Sequence, residues 1–142
     1  MITAFQKENR FLSNFYQAKF TYGDIEWCSV EHAYQSLKFT GEKFNEVYAL
    51  TNPYDIKKFA NENKSYVSSE FFDVKVKLMF DLVTEKFKQN PELKQKLLET
   101  GNQELIEGNT WNDTFWGVCN GQGQNWLGKI LMLVRSELNK PI

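Results

Sequence analysis

Trp27-Cys28-Ser29-Val30-Glu31-His32-Ala33-Tyr34-Gln35-Ser36-Leu37-Lys38-Phe39 reads as a capped amphipathic helix. Ser29 can cap its start, because a serine hydroxyl accepts from an amide two or three residues on, and nothing through Phe39 breaks it. At ~100° per residue, Val30, Ala33, Tyr34 and Leu37 share one apolar sector, and Glu31, Gln35 and Lys38 share the next. A carboxylate, an amide and an amine are thereby stacked beside the buried face, where water is partly excluded. Such a row suits chemistry, and it equally describes a solvated helix flank; spacing alone leaves both open. His32 falls on the side away from the apolar sector and reads as a surface residue rather than a general base.

Upstream, residues 18–22 and 25–27 alternate on either side of Gly23-Asp24, which predicts a hairpin leading into this helix. Residues 11–16, FLSNFY, have no clean period and read as a packed loop; residues 2–5 suggest a short strand and 6–10 a polar connection. Downstream, a second helix over 42–50 stops at Asn52-Pro53, and Pro53 opens a third that ends near Asn63. The longest helix, capped by Ser68 or Ser69, carries Phe72, Val76, Met79, Phe80, Val83 and Phe87 on one face and Phe71, Val74, Leu78 and Leu82 on another. Little of it should be wetted. Pro91 starts a helix ended by Gly101, Leu105-Ile106 returns to the core, and Leu127, Ile130, Leu131, Val134 and Leu138 stripe a closing helix. The expectation is a single domain over 1–142, mainly α with a small antiparallel β portion near the N-terminus.

Between the last two helices the chain loses all period while holding Trp111, Asp113, Trp116 and Gly117, the composition of a loop shaped to receive something. Gly121-Gln122-Gly123, ahead of a helix beginning near Asn125, is either half of a phosphate-cradling turn or a turn that needs positive φ. Neither GxGxxG nor GxxxxGK[ST] is satisfied, so a dinucleotide fold is not expected.

The 142 residues carry a formal charge of −1, which removes any global pull toward nucleic acid or an anionic membrane. With 12 Phe, 6 Tyr and 4 Trp, the chain should have a Phe-rich core and a stacking site for a flat ligand. No apolar run approaches the ~20 residues of a membrane span, and the N-terminus lacks a secretory pattern, so a soluble, cytoplasmic protein is expected. Cys28 and Cys119, with one His, are too few for a zinc site and should be free thiols; no metal and no cofactor are expected.

Taken in order, FLSNFY (11–16), WCSVEHAYQSLKF (27–39), KFKQNPELKQKLLETG (86–101), DTFWG (113–117) and GQNWLGKILMLVR (123–135) closely resemble the NADAR, or YbiA-like, family over nearly the whole chain. The resemblance implies a mainly helical domain with a small β portion. It also implies an N-glycosidase that cleaves a bond between ribose C1 and a base or amine nitrogen. Family members act on phosphoribosylated intermediates of riboflavin biosynthesis, or remove ADP-ribose from modified guanine in nucleic acid. By the same analogy Glu31 matches the essential glutamate, Lys38 the lysine of YQxxKF, Asp113 and Trp116 the DxxWG pair, and Asn14 lies in the signature loop. One departure is Phe71, ahead of Lys75 and Met79, where relatives often place Trp.

Glu31, Lys38 and Asp113 are accordingly the catalytic candidates. Asn14, Phe15, Tyr16, Trp27, Gln35, Trp111, Trp116, Gly117 and Asn125 are the substrate-binding ones. Cleavage builds positive charge on C1 while the departing nitrogen needs a proton, and Glu31 and Asp113 can divide those tasks. Trp116 and Trp111 can stack on the base, worth ~1–3 kcal/mol. A neutral Lys38 can attack C1 to give a Schiff base, provided the proton it shares with Glu31 sits on the carboxylate. The partner is then a ribosylated base or ADP-ribosylated nucleotide. Nucleic acid stays possible through the lysine pairs Lys57-Lys58, Lys75/Lys77 and Lys86/Lys88, and no membrane is involved. The rival reading is a module that binds ADP-ribose or a nucleotide without hydrolysing it.

Overall fold

The computed structural model describes residues 1–141. Its β portion is the expected hairpin: β1 (Phe20–Tyr22) pairs antiparallel with β2 (Ile25–Trp27), Phe20 opposite Trp27. Gly23 and Asp24 both take positive φ, 64° and 62°, as a two-residue turn that follows the strand twist demands. The hairpin delivers the chain into α1 (Val30–Ser36), where the Ser29 hydroxyl accepts from the His32 amide at 3.0 Å. Then come α2 (Gly41–Tyr48), α3 (Pro53–Glu62), α4 (Phe71–Gln89), α5 (Pro91–Glu99) and α6 (Trp126–Leu138). The mainly helical class with a small N-terminal β portion is what the residues build.

Local spacing and tertiary packing part company in several places. α1 ends at Ser36 rather than running through Phe39, because the Leu37 amide turns back to Ala33 and the Lys38 amide to the Gln35 carbonyl at 3.3 Å. Phe39 then drops into a small second core with Val47, Ile56 and Ala60. All seven residues of α1 are buried, since α2, α3 and α4 pack around it, so no solvated flank exists. α4 starts without a side-chain cap; the Ser68 hydroxyl instead accepts from the Glu70 amide. Its first turns are wetter than expected, with Phe72 61% and Val74 53% exposed, and its buried face is Phe71, Met79, Leu82, Val83 and Phe87. Residues Lys7–Leu12 form a 3-10 helix rather than a polar connection, and residue 2 makes a single parallel bridge to Leu105 in place of a strand.

His32 is buried, contrary to the surface position its spacing suggests, because α2 covers that side of α1. Its Nδ1 accepts from the Cys28 amide at 3.1 Å, which puts the ring proton on Nε2, donating to the Tyr48 carbonyl at 2.8 Å. Burial holds its pKa below the ordinary value. A neutral ring with both nitrogens used is structural.

Lys86, one of the lysines read as a surface pair, is 1% exposed. Its Nζ donates to the carbonyls of Phe11 at 2.7 Å and Ser13 at 3.0 Å, pinning the loop that carries Asn14 and Phe15. Burial pulls its pKa from 10.5 down to about 7, and a neutral amine has two N–H donors for two carbonyls. Between about 7 and 10.5 the unfolded chain holds more protons on this group than the folded one, so its contribution to stability rises with pH across that window. Urea unfolding of wild type and Lys86→Met near the two ends of the window should show the wild type's relative stability growing toward the alkaline end. A pH-independent difference would remove this account. Among the described residues no helix is long and apolar enough to cross a membrane, and both cysteines are free.

Candidate active site

A cavity of about 890 Å³ opens beside α1, lined also by α3, the start of α4, the 13–15 loop and residues 107–116. On its floor the Glu31 amide donates to the Asn14 carbonyl at 3.0 Å, and Glu31 Oε1 accepts from Gln35 Nε2 at 3.0 Å. Burial raises the Glu31 pKa; the Gln35 hydrogen bond, Lys57 and Lys38 work against that rise, and Asp113 adds to it. Lys38, in the turn beyond the helix, sits over the Tyr34 ring at 5.0 Å and the Phe71 ring at 5.8 Å. Its pKa is lowered, first by burial, with Glu31 opposing and Lys75, Lys64 and Lys57 reinforcing. The ion pairs among the described residues are Lys43–Glu46, Lys77–Asp81 and Lys140–Glu137, so Glu31 and Lys38 share the cavity without a direct contact.

Asp113 lines the same cavity. Its amide donates to Asn109 Oδ1 at 3.0 Å, and its Oδ1 accepts from the amides of Phe115 at 3.2 Å and Trp116 at 2.9 Å. That turn seats Trp116, whose ring meets Tyr34 edge-on at 5.6 Å. Trp111 stands at the mouth, 53% exposed, with Lys57 Nζ 5.6 Å from its ring centre. Asn14, Phe15 and Gln35 also line the cavity, and Gln35 Oε1 is buried without a protein partner. Phe71, the departure from the family pattern, faces the same space with Lys75 and Met79.

The remaining substrate-binding candidates lie elsewhere. Trp27 is wholly buried, its Nε1 donating to the Tyr22 carbonyl at 3.0 Å and its ring edge-on to Tyr48 at 5.3 Å, so it ties the hairpin to α2. Tyr16 packs on the core, its ring centre 5.7 Å from Lys86 Nζ. Gly117 is where residue 107 passes: a Cβ there would stand 2.1 Å from the Glu107 carbonyl oxygen and 2.8 Å from its Cγ. Asn125, at φ 53°, accepts from the Glu107 amide at 2.9 Å and donates to the Leu105 carbonyl at 3.0 Å. The phosphate alternative for the glycine turn loses its amides, since those of Asn125, Trp126 and Leu127 are taken by the carbonyls of Gly117, Phe115 and Trp116. Gly121 and Gly123, at φ 76° and 148°, serve the turn itself.

Glu107 is the cavity carboxylate that sequence reasoning passed over. Its one signal was position: a carboxylate directly after the apolar Leu105-Ile106 pair, at the entrance to the tryptophan loop. Burial first, then Asp113 and Glu31, push its pKa up to about 7, with Lys57 opposing. Among the described residues no group of three or more His, Cys, Asp or Glu side chains could hold a metal ion.

Three carboxylates, the half-buried Lys38, aromatic side chains, and Arg10, Lys57, Lys64 and Lys75 line this one cavity. The chain belongs to the NADAR domain family, with residues 3–139 matching that domain. It is 38% identical over 132 residues to a riboflavin biosynthesis protein of Vibrio vulnificus, covering 92% of this chain and 36% of that protein. It is 34% identical over 120 residues to an N-glycosidase of Nostoc punctiforme, covering 81% of this chain and 76% of the other. To the N-glycosidase YbiA of Escherichia coli it is 31% identical over 140 residues, covering 88% and 87%. The solution NMR structure of Escherichia coli YbiA superposes with a TM-score of 0.85 at 28% identity, covering 96% of this chain and 82% of that one.

Proposed function

We propose that this cavity hydrolyses the bond between ribose C1 and the nitrogen of a base or amine in a phosphate-bearing ribosyl substrate. The chain is an enzyme of the class its relatives carry by name, a hydrolase acting on N-glycosyl bonds. The observation that carries the site assignment is the buried Glu31 and the half-buried Lys38 lining one cavity with Trp116. Burial drives each toward its uncharged form, the carboxyl keeping its proton and the amine losing its own. A neutral Lys38 can then take C1 as the C–N bond opens, giving a Schiff base that water resolves. Trp116 offers a face for the departing base, and Lys57, Lys64, Lys75 and Arg10 can hold phosphate around it.

Two substrates fit, each favoured by one observation. The cavity's volume of about 890 Å³, near the top of the ~300–1,000 Å³ span of small-molecule sites, favours an ADP-ribosyl conjugate such as ADP-ribosylated guanine. The riboflavin-pathway names of the Vibrio vulnificus and Zea mays relatives favour a phosphoribosylated pyrimidine intermediate. Short incubations with a phosphoribosylamino-pyrimidine and with an ADP-ribosylated guanine oligonucleotide, read by chromatography of the released base and sugar, decide between them. Cleavage of neither would end the N-glycosidase reading.

A further inference from the structure

When a ribosyl C–N bond breaks, its electron pair goes to nitrogen, and a base that would leave as an anion needs a proton delivered at that moment. Glu31 lies with Lys38 on the floor, where C1 is attacked, and one of its oxygens is held by Gln35. Asp113 has an oxygen committed to two amides of its own turn. We propose that Glu107 is the proton donor to the departing base, a role that rests on the N-glycosidase reading above.

The geometry singles it out. Its backbone is fixed on both sides, the amide by Asn125 Oδ1 at 2.9 Å and the carbonyl by the Val118 amide at 2.8 Å. The wall beside it is Gly117, where any Cβ would collide with Glu107 itself. Two residues the sequence marked as substrate-binding are thus the ones that hold Glu107 in place. Its carboxyl accepts no hydrogen bond from any described residue, so it faces the cavity uncommitted. It lies next to the Trp116-Gly117 wall, where a flat base stacks, while Lys38 lies beyond Tyr34.

The charged groups around it set its protonation. Burial is the largest influence and favours the neutral acid, Asp113 on the loop and Glu31 on α1 add to it and Lys57 on α3 opposes it, so near pH 7 the acid form is well populated. In the step, the C1–N pair passes to nitrogen and the Glu107 proton joins it there. C1 is held first by Lys38 and finally by a water oxygen, and the second water proton returns to Glu107. One water is consumed, and acid and amine are regenerated.

With whichever substrate the wild type cleaves, Glu107→Gln should keep KM within about threefold while kcat falls by about 10²–10⁴-fold and the alkaline limb of the kcat profile disappears. Glu107→Asp should keep that limb at a reduced rate. Infrared titration of the ligand-free protein should show a carboxyl group changing near pH 7 that Glu107→Gln lacks, a readout that needs no turnover. A Gln variant with kcat within about threefold of wild type, a KM that rises in step with the loss of kcat, or an unaltered infrared titration overturns the proposal. Should the Gln variant not fold, the Asp variant and its titration decide alone: loss of the alkaline limb, or no carboxyl titrating near neutrality, rejects the role. If the wild type cleaves neither substrate, the N-glycosidase reading itself has failed and the donor role falls with it. An active wild type beside an unimpaired Gln variant removes Glu107 only.

Discussion

Glu31→Gln should leave the protein able to bind its ribosyl ligand while turnover falls by at least about 10³-fold, the upper part of the range for a lost proton-transfer or charge-stabilising group. Glutamine keeps the shape, and its amide oxygen can still accept from Gln35 where Glu31 Oε1 does at 3.0 Å. What it removes is the exchangeable proton and the latent charge facing C1. Calorimetry with ADP-ribose should give affinities within a few-fold of wild type, and single-turnover assays should show the loss in the chemical step. A module that merely binds its ligand would show no turnover to lose, in wild type or variant; equal cleavage by both proteins would remove Glu31 from the chemistry.

The same substitution has a stability signature. The folded Glu31 carboxyl keeps its proton to higher pH than the unfolded chain, whose ordinary value is 4.5, so the folded state binds more protons above that pH. Wild-type stability therefore declines as pH rises above about 4.5 through the raised pKa, and Glu31→Gln should flatten that decline. A carboxyl kept buried at a cost to the fold fits the role proposed for Glu31 at the ligand.

Periodicity exposed the helices because punctuation and packing agree: Ser29 caps α1, Pro53 and Pro91 open α3 and α5, and Gly101, at φ 63°, closes α5. It failed where burial is decided by what arrives from elsewhere. α1 looked two-faced, yet α2, α3 and α4 enclose it, so His32 and Gln35 became interior groups and Lys38 was left in a turn rather than on a helical stripe. Lys86 carries the same lesson: nothing in KFKQN says that two carbonyls 73 and 75 residues upstream will take its amine. Trp27, Gly117 and Asn125 stand out by residue type, but their neighbours are the hairpin, α2 and Glu107, none visible from spacing. The cavity residues of α1 and the tryptophan loop were legible through family likeness. Glu107 was not, because its raised pKa comes from burial first and then from two carboxylates that folding brings near it.

Lys38→Met should abolish covalent capture of the sugar. With borohydride added during turnover, the wild type is expected to gain the mass of a reduced ribosyl group on the peptide holding Lys38, and Lys38→Met to gain none while losing turnover by orders of magnitude. An amine attacks only when neutral, and burial, with Lys75, Lys64 and Lys57 nearby, moves Lys38 toward that form below the pH at which a surface lysine would reach it. Capture should accordingly rise with pH through that lowered pKa. Glu31 pulls the other way, holding the ammonium, which is why the proton must reside on the carboxyl for attack to occur. Lys38→Arg separates nucleophile from phosphate holder, since guanidinium keeps the charge and grips phosphate but stays protonated and cannot attack. Retained binding with no capture and no turnover in the Arg variant fits the nucleophile. Absence of any adduct in the wild type, or an undiminished one in Lys38→Met, would leave Glu31 to activate water directly and reduce Lys38 to a cation beside the sugar.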